Sequence, residues 1–336
     1  MAKTTVLLIN LGTPDSPSVS NVRSYLSQFL NDPRVIDIPW LLRKMLVNLI
    51  IVPFRAPKSA KIYQELWTDK GSPIIIHGER VKTLLQEKLG QEYTVELAMR
   101  YKNPSISSVL DRIRKSNPTK IIVLPLFPHY ASASTGSALQ EVMDVVRHWW
   151  VIPELSMISQ YWDHPGFIKA FAERGRQYDW REYDHVIFSY HGLPERHVDK
   201  IYNDGLCADR DCMHEVNDEN TYCYKATCYG TTRLLAKELG IPTEKYTVAF
   251  QSRLDQKWIQ PFSDQVVEQK GKEGAKKLLI FSPAFVADCL ETTIEIGVEY
   301  QEIFERHGGE KVQLVESLND HPIWIEALAD MVTTRT

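Results

Sequence analysis

The sequence lacks an apolar stretch long enough to cross a lipid bilayer. A membrane-spanning helix needs about 20 consecutive apolar residues. The nearest candidate, IPWLLRKMLVNLIIVPF at 38–54, is shorter, carries Arg43 and Lys44, and is bounded by Pro39 and Pro53. We therefore expect a cytoplasmic protein in which 38–54 makes a peripheral contact with the inner face of the cell membrane. The alternative for this stretch is an ordinary buried helix.

Basic blocks, a secretion signal and abundant cysteine are missing as well. The 39 Lys and Arg and 43 Asp and Glu residues give a net charge of −4, so we expect no nucleic acid as a partner. The apolar run at 6–11 is too short for the core of a secretion signal and contains Asn10. Only five cysteines are present, which in a cytoplasmic chain favours metal or thiol chemistry over disulfides.

Seven short apolar runs have the character of buried strands. They are continuous rather than alternating, as in strands covered on both faces, and helical stretches such as 79–89, 105–114 and 231–239 separate them. This alternation predicts an α/β fold with parallel sheets. The runs are 5–11, 94–99, 120–127, 185–190, 246–251, 277–285 and 311–317.

Two sequence elements recur in the same order in the two halves of the chain. LINLGTP (8–14) is similar to FSYHGLP (188–194), and LPLFPHYASASTGS (124–137) is similar to SPAFVADCLETTIE (282–295). A chain of 336 residues has the length of two domains. We therefore predict two similar Rossmann-like domains. Their boundaries are 1–160, including the insertion 38–54, and 161–318, with a terminal helix in 319–336.

His191 is the first candidate for chemistry. It follows the predicted strand 185–190 directly, and ligands of open α/β sheets bind at the carboxyl ends of strands. Leu11 occupies the matching position of the other repeat, so the two residues would line opposite walls of a cleft between the domains. The alternative is a histidine that bonds to the backbone and fills the turn.

A row of carboxylates follows the strand 277–285. Glu291, Glu295 and Glu299 have the spacing i, i+4, i+8, which places them on one face of an α-helix. Together with Asp288 they would carry a cation or protons to or from a buried site. The alternative is a solvated helix face.

Four of the five cysteines fall within the segment 205–229 with the spacing C-x4-C-x10-C-x4-C. Groups of four thiolates bind zinc or an iron–sulfur cluster. Structural zinc prefers the shorter C-x2-C spacing, so we favour a [2Fe–2S] cluster, with zinc as the alternative. The four residues are Cys207, Cys212, Cys223 and Cys228.

Two arginines are candidates for binding acidic substituents of a ligand, because a guanidinium pairs with a carboxylate through two hydrogen bonds. Arg55 follows the stretch 38–54, and Arg100 ends the predicted strand 94–99. The alternatives are a surface salt bridge for Arg55 and a structural pair for Arg100.

Taken together, these segments resemble the ferrochelatases, lyases that complete haem synthesis, over essentially the whole chain. The matching segments, in the family's order, are 7–17, 63–74, 99–105, 125–137, 189–197, 250–253 and 282–300. The resemblance implies the chelatase fold, in which a porphyrin cleft lies between two similar domains. It also implies insertion of Fe(II), the metal substrate, into protoporphyrin IX.

The resemblance also implies roles for individual residues. His191 would accept pyrrole protons and receive the iron with Glu291 as its partner, while Glu295, Glu299 and Asp288 would form a proton or metal path. The stretch 38–54 would be an apolar lip that admits porphyrin from the membrane, where the preceding porphyrin-producing enzyme is an expected partner. The implied porphyrin contacts are Leu11, Arg55, Arg100, Tyr101, Ser134 and Trp258.

Three departures from the family pattern matter. Leu11 stands where coproporphyrin-using members carry Tyr, which favours protoporphyrin IX. Cys289 stands where some members carry a second His, so metal binding at that position is in doubt. The four-cysteine group resembles the internal [2Fe–2S] cluster of a bacterial subset rather than the animal arrangement. Two rival functions are a chelatase for another metal or tetrapyrrole and a non-catalytic haem or iron–sulfur sensor.

Overall fold

The computed structural model describes residues 4–203, 206–207 and 211–335. The chain forms two compact units. Unit 1 comprises Met1–Phe127, Ala131–Gln160 and Leu328–Thr336, and unit 2 comprises Pro128–Tyr130 and Tyr161–Ala327. None of the described helices combines the length and the apolar character that crossing a membrane requires.

Unit 1 contains a four-stranded parallel sheet in the order β2-β1-β3-β4. Residues Val6 to Ile9 of the central strand are fully buried, as the continuous apolar run predicts. The strands are β1 (Thr4–Gly12), β2 (Tyr93–Tyr101), β3 (Lys120–Pro125) and β4 (Glu154–Met157). The helices are α1 (Val19–Leu30), α2 (Trp40–Met45), α3 (Val52–Leu66), α4 (Pro73–Leu89), α5 (Ile106–Ser116) and α6 (Ser137–Val146).

Unit 2 repeats this topology with the strand order β6-β5-β7-β8, again all parallel. The prediction of two similar α/β domains is therefore confirmed. The strands are β5 (His185–His191), β6 (Tyr246–Gln251), β7 (Lys277–Phe281) and β8 (Lys311–Leu314). The helices of unit 2 are α7 (Pro165–Gly175), α8 (Glu195–Asp199), α9 (Tyr224–Leu239), α10 (Ser263–Lys272) and α11 (Gln301–Arg306). The terminal helix, α12 (Pro322–Thr333), begins in unit 2 and ends in unit 1.

Strand β4 was not predicted from the sequence. It is an edge strand that pairs only with β3, and its residues ELSM are exposed or half-buried, so they form no continuous apolar run. Strand β7 is shorter than the run at 277–285, because it stops before Pro283, which has no N–H to donate. Strand β3 likewise ends at Pro125.

Among the described residues, three helical segments are π-helices, with hydrogen bonds five residues apart: Leu46–Ile51, Ser132–Gly136 and Glu291–Tyr300. Such segments are rare and frequently mark functional sites. The expectation of an α-helix after β7 was therefore wrong. In the wider π-helix the carboxylates do not share one environment, since Glu291 and Glu295 are half-buried while Glu299 is exposed.

Candidate active site

The site begins with His191, the last residue of β5, a central strand of its sheet. Its Nδ1 lies 2.7 Å from the Gly192 carbonyl oxygen. A carbonyl oxygen can only accept, so Nδ1 carries the ring proton and donates it, and Nε2 carries the lone pair. His191 is half-buried, so this lone pair is available as a base or as a metal ligand.

Aromatic side chains surround the His191 ring. The ring centroids of Trp258 and Phe285 lie 6.4 and 6.2 Å from it. The turn after His191 requires glycine, because a Cβ on Gly192 would lie 2.7 Å from the Gln251 carbonyl oxygen. Trp258, named above as a porphyrin contact, therefore lies beside the base, whereas Phe285 was not singled out from the sequence.

Glu291 opens the π-helix that follows β7. Its carbonyl oxygen accepts a hydrogen bond of 2.8 Å from the Gln251 side-chain amide. Burial raises the pKa of the nearby Cys289 thiol, and the Glu291 carboxylate raises it further. Cys289 therefore stays a neutral thiol beside Glu291, which suits it poorly as a metal ligand because the thiolate is the ligating form.

Glu295 lies one turn further along the π-helix and is fully hydrogen-bonded. Its carboxylate accepts bonds from the Gln251 amide at 3.1 Å, the Ser252 backbone N–H at 2.8 Å, the Ser252 hydroxyl, and the Tyr300 hydroxyl at 3.2 Å. Four donors hold the carboxylate in one orientation.

Asp288 is also engaged on both carboxylate oxygens. One accepts from the Ser317 backbone N–H at 3.2 Å, and the other accepts from the Asn319 amide at 2.7 Å. The Asp288 backbone N–H in turn donates to the Asn319 side chain at 2.9 Å. Asp288 therefore fastens the turn after β7 to the segment after β8, which is a structural task.

In unit 1, the side chains of Arg100 and Tyr101 bond to the buried carboxylate of Asp32. Asp32 is a residue that sequence reasoning missed. The Asp32 carboxylate lies 2.8 Å from the Arg100 guanidinium and 2.9 Å from the Tyr101 hydroxyl. Ser137 donates to the same oxygen at 2.5 Å. Tyr101 is 0% exposed, and burial raises its pKa, as does the Asp32 carboxylate. The Tyr101 side chain belongs to the core of unit 1, and its role as a porphyrin contact stays a prediction.

A polar cavity of about 620 Å³ lies beside this cluster. Its walls come from α1, from Asn31 to Pro33, and from Lys44 and Arg100. Arg100 is therefore both paired with Asp32 and partly accessible from the cavity, with 15% of its side chain exposed. The structural pair that the sequence left open as the alternative for Arg100 is present.

The other proposed contacts of unit 1 are accessible. Leu11 is half-buried in β1, and Ser134 is half-buried in the π-helix Ser132–Gly136. Arg55 is exposed on α3, and within the part of the chain that the structure describes its guanidinium has no hydrogen-bond partner. Of the two candidate arginines, Arg55 is thus the one whose guanidinium is free to bind a carboxylate.

The stretch 38–54 forms helix α2, a π-helix and the start of α3 in unbroken succession. The expectation that Pro53 bounds it was wrong, because Pro53 lies in the first turn of α3, where a proline costs least. Arg43, only 6% exposed, donates to the carbonyl oxygens of Ile36 and Ile38. We call the exposed apolar side chains of this stretch the lip: Trp40, Leu41, Leu42, Met45, Leu49, Ile50 and Phe54, each at least 51% exposed.

Three of the four clustered cysteines come together in unit 2. The sulfur atoms of Cys207, Cys212 and Cys223 all lie within 4.8 Å of one another, and we call this group the cysteine triad. Cys228 is not part of it and is fully buried in α9. Cys228 lies five residues after Cys223, which directly precedes α9. In an α-helix, five residues span about 7.5 Å along the axis, and the two side chains point to different sides of the helix. Parts of the loop, 204–205 and 208–210, lie outside the described residues.

The triad fits a thiolate metal site, and the full four-cysteine set does not form among the described residues. A [2Fe–2S] cluster or a structural zinc ion takes four ligands. The triad provides three of them, while Cys228 faces buried aromatic residues such as Tyr190 and Tyr224. Three of the four predicted cluster ligands therefore come together, and a role for Cys228 as the fourth stays a prediction.

Two similar parallel sheets, one of which ends in His191, define the fold class of this protein. Comparison with solved structures identifies the same fold class. The fold is similar to that of SirB from Bacillus subtilis with Fe3+, with a TM-score of 0.56 over 98% of this chain and 94% of that chain at 13% identity. It is similar to the sirohydrochlorin chelatase SirB of B. subtilis subspecies spizizenii in complex with cobalt, with a TM-score of 0.55 and 13% identity over 98% and 94% of the two chains. The protein has the chelatase fold.

Sequence comparison then specifies the family. The ferrochelatase family profile matches residues 3–336. Ferrochelatase from Legionella pneumophila (strain Lens) is 44% identical over 328 residues, covering 97% of this chain and 98% of that protein. Ferrochelatase from Coxiella burnetii (strain Dugway 5J108-111) is 43% identical over 330 residues, covering 97% and 92%. The chain belongs to the ferrochelatase family.

Proposed function

We propose that this protein inserts ferrous iron into protoporphyrin IX to form protohaem, with His191 as the base. The observation that carries this proposal is the His191 side chain, whose Nδ1 donates to the Gly192 carbonyl and leaves the Nε2 lone pair at the end of a central strand. Metal insertion releases two pyrrole protons, so a positioned base is a chemical requirement. Family membership supports the same reaction.

The residues around His191 suit the remaining steps. The aromatic rings of Trp258 and Phe285 offer flat apolar surfaces to a macrocycle. Bending the bound ring would expose the pyrrole nitrogen lone pairs, with the distortion driven by binding energy elsewhere on the porphyrin. Imidazole and carboxylate are ligands that Fe(II) accepts, so His191 and Glu291 receive the iron.

Glu295, Glu299 and Asp288 take different parts in this proposal. Glu295 acts as a fixed negative charge that favours an incoming cation, because four donors hold it. Glu299 is exposed and offers the outer end of a proton or metal path. Asp288 shapes the turn that carries Glu291.

The choice of porphyrin depends on the substituents at the edge of the ring. The exposed guanidinium of Arg55 binds a propionate carboxylate, and Ser134 offers a hydroxyl to the same kind of group. Leu11 presents an apolar surface, which favours the vinyl-bearing protoporphyrin IX over the more acidic coproporphyrin. Arg100 contributes mainly through its pair with Asp32.

We further propose that the lip rests in a membrane surface on the cytoplasmic side. Seven large apolar side chains between Trp40 and Phe54 are exposed together, and Lys44 accompanies them. An exposed apolar face of this kind binds at the headgroup boundary without spanning the bilayer. The lip would receive a hydrophobic porphyrin there, where the preceding porphyrin-producing enzyme would release it.

For the cysteine triad we propose a thiolate metal centre, with a [2Fe–2S] cluster favoured and zinc as the alternative. The wide spacing of the cysteines supports the cluster, and the three converging sulfur atoms support a metal. Either metal centre would take one ligand in addition to these three. Such a centre would tie the loop before α9 to the helix start at Cys223.

A panel of metals and tetrapyrroles tests the proposed reaction. Purified protein should consume Fe(II) and protoporphyrin IX and form protohaem, with slower turnover of coproporphyrin and none of sirohydrochlorin with cobalt or nickel. Turnover confined to sirohydrochlorin would establish the rival chelatase. Tight haem binding without any metal insertion would establish the sensor.

A further inference from the structure

Gln251 connects the two residues of the proposed catalytic pair. It is the last residue of β6 and the register partner of His191 on β5. Its main-chain carbonyl accepts a 2.7 Å hydrogen bond from the Gly192 N–H, in the turn that follows His191. Gln251 is 1% exposed, so water does not compete for these bonds.

The Gln251 side chain reaches the other element. Its Nε2 donates to the Glu291 carbonyl oxygen at 2.8 Å and to the Glu295 carboxylate at 3.1 Å. Both partners can only accept, which fixes the orientation of the amide. Its Oε1 accepts from the Ser189 hydroxyl at 2.8 Å and lies 3.4 Å from the Ser282 hydroxyl. The buried amide is therefore satisfied at both ends.

We propose that Gln251 is a positioning residue, which holds the first turn of the π-helix, and with it Glu291, at a fixed place relative to His191. This inference rests on the proposed function of that pair. One buried side chain bonds the Glu291 main chain, while its own main chain bonds the turn after His191. Without the amide, the Glu291 carbonyl and the Glu295 carboxylate each lose a donor, and the π-helix start is free to shift.

Replacing the amide by an apolar group of similar size tests this role. Gln251→Leu should lower kcat for iron insertion roughly 10- to 100-fold, the usual cost of losing a partner that orients a metal-site ligand. The KM for protoporphyrin should stay within about twofold, because Gln251 has no exposed surface to touch the ring. Gln269→Leu is the matched control, since Gln269 is exposed on α10 and donates to Glu273 at 2.6 Å.

A second variant keeps the test decisive if Gln251→Leu folds poorly. Gln251→Met keeps the unbranched shape and approximate length of the side chain but has no N–H to donate to the Glu291 carbonyl or the Glu295 carboxylate, and it should show the same fall in kcat at constant KM. Full kcat in folded Gln251→Leu overturns the inference, and so does full kcat in Gln251→Met when Gln251→Leu is unfolded.

Two variants together distinguish failure of the positioning role of Gln251 from failure of the proposed function. If His191→Ala is inactive while Gln251→Leu has full kcat, only the positioning role fails. If His191→Ala retains full turnover, the proposed pair fails whatever Gln251→Leu does. A fall in kcat that comes with an equal rise in KM for protoporphyrin would assign Gln251 to porphyrin binding and contradict the positioning role.

Discussion

The Arg100 guanidinium lies 2.8 Å from the carboxylate of Asp32, and only 4% of the Asp32 side chain is exposed. The Tyr101 and Ser137 hydroxyls bond to the same carboxylate oxygen. Asp32 stands at the C-terminal end of α1, so this one buried group ties α1 to the end of β2 and to the start of α6. The pair is a structural element of unit 1 and leads to the first prediction.

Arg100→Leu should destabilise the protein by about 3–5 kcal/mol, because it leaves the Asp32 carboxylate buried without its cation. Urea unfolding followed by circular dichroism measures this change. Arg112→Leu is the control: its pair with Glu96 has Arg112 52% exposed, and such surface pairs contribute about 0–1 kcal/mol. Equal stability of the two variants would show that the Asp32 pair is not structural.

The membrane contact proposed for the lip predicts that substitutions in it weaken binding to lipid vesicles. Leu49, 66% exposed, would bury its side chain in the bilayer, and burial of one leucine is worth about 1.5–3 kcal/mol. Leu49→Ser should therefore lower partitioning onto lipid vesicles roughly tenfold or more in a sedimentation assay. Val151→Ser removes a side chain of similar exposure, 69%, outside the lip and should leave partitioning unchanged. Equal effects of both changes would argue against a specific lip contact.

The metal centre proposed for the cysteine triad predicts which substitutions prevent metal binding. Cys207→Ala, Cys212→Ala and Cys223→Ala should each abolish it, whereas Cys228→Ala should retain it. Metal analysis and visible absorption of anaerobically purified protein give the readout. Loss of metal in Cys228→Ala would restore the four-cysteine group that the sequence predicts, and a colourless protein with one zinc ion would exclude the [2Fe–2S] cluster.

Buried His129 should make the stability depend on pH. Its Nε2 lies 2.9 Å from the Thr231 hydroxyl, and burial lowers its pKa to about 3. The native state therefore binds fewer protons than the unfolded state between about pH 6.5 and pH 3. The contribution of His129 to the free energy of unfolding is fully present above about pH 6.5, and it falls by up to about 1.4 kcal/mol per pH unit below that.

His129→Gln should flatten this pH dependence, as measured by urea unfolding at pH 7 and pH 5. His148→Gln is the control, because His148 is exposed on the surface of unit 1. An unchanged pH dependence in His129→Gln would show that this histidine is protonated in the native state.

Much of the fold follows from the sequence because burial leaves a direct trace there. Strands β1 and β5 are continuous apolar runs, and the two similar turns at Gly12 and Gly192 place Leu11 and His191 at equivalent strand ends. Edge strand β4 leaves a weaker trace, since one side of it is unpaired. The sequence predicted β8, which occupies the matching edge position in the sheet of unit 2. The similarity of the two halves of the chain could therefore have located β4.

The candidate site was predictable only in part, because its geometry depends on contacts distant in sequence. His191 and Glu291 follow from their positions after strands. The sequence spacing of Glu295 is that of a solvated helix face, yet its carboxylate accepts hydrogen bonds from Gln251, Ser252 and Tyr300. No local sequence pattern predicts those bonds. The segment 250–253 was noticed as a matching motif, which is the one signal that could have pointed to Gln251.

The most direct test of the central claim is the rate of iron insertion into protoporphyrin IX by His191→Ala, with His148→Ala as the control. Removing the base should lower kcat by roughly 10²- to 10⁴-fold while the protein still binds protoporphyrin, as followed by quenching of its fluorescence. His148→Ala should insert iron at the unaltered rate. Full turnover by His191→Ala would contradict the assignment of His191 as the base.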